Sequence, residues 1–123
     1  MFLAGLDSLK ERANVVELMK WVGLFSKSKV KPQELSGGER QRAALARAVI
    51  MSPDIILADE PTGNVDWEMS QRLLQLLVEL NKMGKTIFIS THDLSLVRLA
   101  KSFVKARTLR ISDLQLSQAG ADL

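Results

Sequence analysis

Two short apolar runs, Ile55-Ile56-Leu57-Ala58 and Thr86-Ile87-Phe88-Ile89-Ser90-Thr91, bracket a segment with helical spacing. Between them Met69, Leu73, Leu76, Leu77, Leu80 and Met83 recur every three or four positions, the period of one apolar helix face. Strands that alternate with helices in this way argue for a parallel sheet packed against helices. The first run is short, continuous and apolar, as expected of a strand buried on both faces. The predicted fold class is therefore α/β, with a parallel sheet covered on both faces by helices.

The rest of the chain extends that pattern. Residues 7–23 carry Leu9, Ala13, Val16, Met19 and Val22 at helical spacing. Ser26 to Pro32 is polar, basic and proline-containing, and reads as a loop. Ser36 and Glu39 form the S-x-x-E pattern of a capping box, which opens a helix over Ala43 to Met51 that Pro53 blocks from continuing. Asp66 is placed to cap the helix before Gly84, which ends it. Asp93 to Lys101 reads as a short helix, residues 103–116 as one or two strands, and residues 117–123 as a frayed tail. The predicted segments are 1–52 (helical), 53–116 (strand-rich) and 117–123.

Composition narrows the function classes. The chain has 123 residues, 46% of them apolar, and a formal net charge of +3. Its Arg and Lys are scattered and its aromatics few, so no nucleic-acid partner is expected. With no cysteine, disulfides, thiolate metal sites and a Cys nucleophile are excluded. The opening Met1-Phe2-Leu3-Ala4-Gly5-Leu6-Asp7 lacks the basic start and apolar stretch of a signal peptide. No apolar run approaches the ~20 residues of a membrane helix. The expected location is cytoplasmic.

Three places have residue types suited to chemistry. In Ser36-Gly37-Gly38 the glycines either belong to a plain helix cap or let something approach the backbone closely. The positive end of a helix with free N–H groups suits phosphate. Asp59 and Glu60 follow the first strand, and parallel strands present their C-terminal ends to ligands. They either cap the next helix, or Asp59 holds Mg²⁺ while Glu60 orients or deprotonates a water. His92, the only histidine, is either a packed or surface residue or a hydrogen-bond donor toward a phosphate at the same sheet edge. Arg40, Arg42 and Arg47 lie on the helix after the Ser36 cap, where a solvated face is the plain reading, favoured for Arg47; Trp21 and Trp67 read as packing residues.

These residues fall into a known pattern. Leu35-Ser36-Gly37-Gly38-Glu39 is similar to the signature of ABC-type ATPases. Ile55 to Glu60 resembles their Walker B strand with its catalytic glutamate. Gly63-Asn64-Val65-Asp66 sits where the D-loop lies, and Thr91-His92-Asp93 matches the switch-histidine loop. No Gly-x-x-x-x-Gly-Lys-[Ser/Thr] phosphate loop occurs in the sequence, so the chain resembles the C-terminal half of such a domain, a P-loop NTPase-like sheet without its Walker A half.

The resemblance implies an ATPase that uses ATP and Mg²⁺, with Glu60 and His92 catalytic and Asp59 on the metal. Ser36, Gly37, Gly38, Glu39 and Asp66 would contact nucleotide. Family members sandwich ATP between two subunits, which implies a homodimer or an ATPase partner. Asp59-Glu60-Pro61-Thr62-Gly63-Asn64 looks like the subgroup of cell-division, lipoprotein-releasing and macrolide-export ATPases, with most likeness to FtsE-type proteins. These imply an FtsX-like integral membrane partner and a peripheral position at the inner face of the plasma membrane. Alternatives are the ATPase of a lipoprotein or small-molecule exporter, and a non-catalytic module donating its signature in trans. Without the Walker A half, the chain alone is expected to be inactive. The Leu stripe of residues 73–80 reads as core. The strand Thr86 to Ser90 would have an unpaired edge, and apolar faces of Leu73 to Leu80 or its neighbours would lose the cover of the missing half.

Overall fold

The computed structural model describes the backbone of residues 9–120 and the side chains of residues 13–120; Met1–Ser8 and residues 121–123 lie outside. The elements are α1 (Leu9–Trp21), α2 (Gly37–Ile50), β1 (Ile55–Asp59), α3 (Trp67–Lys82), β2 (Thr86–Ser90), α4 (Leu94–Phe103), β3 (Leu109–Ser112) and β4 (Gln115–Gln118). The loop expected after α1 contains two 3-10 turns, Phe25–Lys27 and Pro32–Glu34.

β1 and β2 pair in parallel, Ile55 against Thr86 through Asp59 against Ser90, and α3 is the crossover. Successive strand residues point to opposite faces. Ile56 is buried and Ala58, Ile87 and Ile89 are half-buried on the helix side. On the other side Ile55 is 60% exposed, Leu57 77% and Phe88 57%. This corrects the expectation of a strand buried on both faces. The described helices cover one face only, and the apolar residues of the other stand open.

The main core joins Val15, Leu18, Met19 and Val22 of α1 and its end, Ala43, Ala46 and Val49 of α2, Ile56, and Leu73, Leu76 and Leu77 of α3. A second cluster places Leu74 and Val78 of α3 against Leu96 of α4. α3 is thus buried on two sides, wider than the single stripe read from the sequence. The Leu73 to Leu80 stripe is core, as read from the sequence: Leu73, Leu74, Leu76, Leu77 and Val78 are buried and Leu80 packs against the core. The open apolar surface is the sheet face instead. Met83, counted in the stripe, is 75% exposed, because the helix closes there. Gly84 at φ 96 lets its own N–H reach Asn81 O and the N–H of Lys85 reach Leu80 O, the double bond of a Schellman C-terminus.

Other boundaries and packing residues shift. On α1, Val15 and Leu18 are buried while Ala13 is exposed. Trp21 and Trp67 are exposed rather than packed. Arg42 is not solvated: its Nη1 donates to Val22 O at 2.8 Å, capping the end of α1, where cations are favoured. α4 runs through Phe103, so strand structure begins only at Leu109. β3 and β4 form an antiparallel hairpin whose turn residues Asp113 and Leu114 both have positive φ, 50 and 62, as a type I′ turn requires. It extends to Gln118, inside the span read as tail.

Candidate active site

The C-terminal ends of β1 and β2 lie side by side because the strands are parallel and in register, Asp59 opposite Ser90. Their side chains point to the open face, where Ser90 Oγ donates to Asp59 Oδ1. The chain then turns sharply at Glu60, whose φ of 45 is unusual for a residue with a side chain. Its N–H continues the ladder to Ser90 O at 2.9 Å.

That turn aims the Glu60 carboxylate across at the segment leaving β2. Oε1 accepts from the His92 N–H at 2.9 Å and meets His92 Nδ1 at 2.6 Å. Oε2 accepts from Thr91 Oγ1 at 3.2 Å. Thr91 Oγ1 in turn accepts from the Asp93 N–H at 3.0 Å, and Asp93 caps α4 through the N–H groups of Ser95 and Leu96. The His92 hydrogen bond holds the Glu60 carboxyl below its usual range, helped by the His92 N–H, its charge and Thr91. The Glu60 hydrogen bond and charge raise His92, and Asp93 adds to this. An ionised carboxylate against a proton-holding imidazole is the favoured state of the pair. The His92 side chain is 88% exposed, so the rest of the ring faces outward.

The predicted signature residues lie at the start of α2. Ser36 Oγ accepts from the Glu39 N–H at 3.2 Å and Glu39 Oε2 accepts from the Ser36 N–H at 2.9 Å, the reciprocal box read from the sequence. Glu39 also lies 3.8 Å from Lys27 Nζ; its carboxyl is lowered, chiefly by the Ser36 backbone. Its carboxylate is thus turned into the cap and brings negative charge to the helix start. The two glycines differ. A Cβ on Gly38 would lie 2.5 Å from Asn64 O, whereas one on Gly37 would meet nothing within 4 Å. What approaches Gly38 is therefore the chain's own backbone, while Gly37 stands open.

Asp66 is not gathered with the others: its Oδ1 caps α3 through the Met69 N–H at 2.8 Å. Sequence reasoning missed Gln41 and Ser90. Gln41 Nε2 donates to Glu60 O and its Oε1 accepts from Asn64 Nδ2 at 3.0 Å, joining α2 to the Glu60 turn. For Mg²⁺, no group of three or more His, Cys, Asp or Glu comes together among the described residues. Mg²⁺ is commonly held by one or two carboxylates, with water and substrate phosphates completing its shell. Asp59, exposed and oriented by Ser90, fits that donor set.

Residues 5–63 match the family described as ABC transporter. The chain is 39% identical over 115 residues to an ABC transporter ATP-binding protein of Thermotoga maritima, covering 94% of this chain and 49% of that one. It is 44% identical over 104 residues to the macrolide export ATP-binding/permease protein MacB of Rhodopseudomonas palustris, covering 85% and 16%. Over 97 residues it is 43% identical to the cell division ATP-binding protein FtsE of Escherichia coli, covering 79% and 44%. The dimeric structure of a post-hydrolysis ATP-binding cassette bound to ADP and Pi superposes with a TM-score of 0.68 at 40% identity, covering 78% of this chain and 43% of that one. The chain thus spans less than half the length of each of these relatives. Its matches are to the ABC transporter ATP-binding family.

Proposed function

We propose that this chain supplies an ATP-binding cassette with the residues that act on the γ-phosphate. The observation that carries this reading is the Glu60–Thr91–His92 cluster beside Asp59 at the shared C-terminal end of two parallel strands. In the proposed reaction a water attacks the γ-phosphorus, the bond to the bridging oxygen of ADP breaks, and the water's proton passes to Glu60. The lowered Glu60 carboxyl stays ionised at neutral pH and orients the water more than it stores a proton. His92, raised toward its charged form, offers the exposed side of its ring to the γ-phosphate. Asp59 would hold Mg²⁺, which when bound neutralises charge on the β- and γ-phosphates.

The α2 start serves a nucleotide held by a second subunit. Gly37 leaves its backbone open to a phosphate. Ser36 and Glu39 hold the turn that presents it, and Asp66 fixes the loop behind it. A homodimer or an ATPase partner follows, in keeping with the dimeric cassette relative. We place the whole protein with FtsE-type ATPases, working with an FtsX-like integral membrane protein at the inner face of the plasma membrane; no helix among the described residues is long and apolar enough to cross a membrane. The MacB relative favours an exporter as the second reading.

A chimaera tests the chemistry. The part of E. coli FtsE that this chain does not match is joined ahead of residue 1, and MgATP hydrolysis is measured with and without Glu60→Gln. A loss of ~10²–10⁴-fold with nucleotide binding retained is expected; a loss under ~10-fold assigns the role to another group. Restored division in cells lacking FtsE favours the cell-division reading, and restored macrolide export the other.

A further inference from the structure

Gln41 joins two parts of the molecule that the mechanism uses separately. It sits on α2 just past the capping box. Its Nε2–H donates to the Glu60 carbonyl, and its Oε1 accepts from Asn64 Nδ2 at 3.0 Å. The Gly63 N–H also reaches the Glu60 carbonyl, at 3.1 Å. On the other side the Glu60 N–H is fixed to Ser90 O. A residue with a side chain holds a φ of 45 only when its surroundings over-determine it, and among the described residues Gln41 supplies the side chain hydrogen-bonded to the Glu60 backbone. Gly38 packs its α-carbon against Asn64 O, so the α2 start and the 60–64 turn already touch as backbone.

We propose that Gln41 is a positioning residue, which holds the Glu60 turn in the shape that aims its carboxylate at Thr91 and His92 and ties that aim to the start of α2. The proposal rests on the reading of Glu60 as the reacting carboxylate. Its consequence is directional coupling. A ligand that moves the α2 start moves Gln41, and through the Glu60 carbonyl it reorients a carboxylate that no residue of the α2 start touches.

His92 is the only histidine, so its ring protons report the aim of Glu60 in the intact chain without any catalytic assay. Asp93 also faces His92 electrostatically and is unchanged throughout. The NMR titration midpoint of His92 and the melting temperature are measured for wild type, Gln41→Met, Gln41→Glu, Ser36→Ala and Glu60→Gln. Gln41→Met keeps length and removes both bonds. Gln41→Glu keeps the acceptor for Asn64 but loses the donor to Glu60. Both should lower the His92 midpoint toward that of Glu60→Gln by ~0.3 units or more, about twofold in proton affinity. Ser36→Ala removes one cap bond but keeps both Gln41 bonds, so it should lower melting and move the midpoint less than either Gln41 variant. If both Gln41 variants melt lower with an unmoved midpoint while Glu60→Gln shifts it, Gln41 is structural only and the proposal falls. If Glu60→Gln itself leaves the midpoint unmoved, the pairing and the functional reading fall together. Should Gln41→Met not fold, Asn64→Ala reads the same coupling: a shift in the same direction supports it, and none overturns it.

Discussion

Glu60 takes both the backbone N–H and the ring Nδ1 of His92 on one carboxylate oxygen, at 2.9 and 2.6 Å. The contact spans the ends of two strands and favours the charged form of each group. It also sets a pH window. The lowered Glu60 contributes stability that is present above its unfolded pKa of ~4.3 and lost as pH falls through the folded value. The raised His92 contributes below its unfolded pKa of ~6.5 and loses it as pH rises through the folded value. Melting temperature should therefore fall on either side of the interval between them, and Glu60→Gln should flatten both flanks. A profile unchanged by the substitution would show that the pair adds nothing to stability.

The two signature glycines should respond in opposite ways to alanine. At Gly38 a Cβ would lie 2.5 Å from Asn64 O, so Gly38→Ala should cost ~1–3 kcal/mol in urea unfolding, the usual cost of overpacking. Gly37→Ala meets open space and should be neutral or slightly stabilising. Equal effects would mean that α2 does not sit against the 60–64 turn as described.

Ser36→Ala removes the acceptor for the Glu39 N–H. A loss of about 1 kcal/mol is expected from removing such a cap. Thermal or urea unfolding that matches wild type would show that the remaining half of the box suffices.

The open sheet face predicts self-association of the chain by itself. Ile55, Leu57 and Phe88 form an apolar face of the kind that recruits other surfaces. Size-exclusion chromatography with light scattering should show oligomers that shift toward monomer in Leu57→Thr/Phe88→Thr. A clean wild-type monomer would overturn this.

ATP turnover by the 123-residue chain alone should be undetectable, because no Gly-rich Lys-Ser/Thr loop is present to hold the β- and γ-phosphates. Phosphate release at ~1 s⁻¹ or faster would refute it.

The sequence by itself determined most of the elements and their caps. Local signals were strong where a residue acts on its own neighbours: Ser36 and Glu39 close their box, Asp66 caps α3, Gly84 ends it, and the apolar runs become paired strands. Only the tertiary structure decided what lies across from what. That the glycine at 38 packs against Asn64 O, that Arg42 caps α1, and that Gln41 reaches the Glu60 carbonyl all depend on contacts between residues about 20 or more positions apart, which no periodicity encodes. The same holds for the sheet. Apolar composition specifies that a strand can be buried on both faces, but burial is a property of what packs there, and the described helices cover only the side of Ile56 and Ile89.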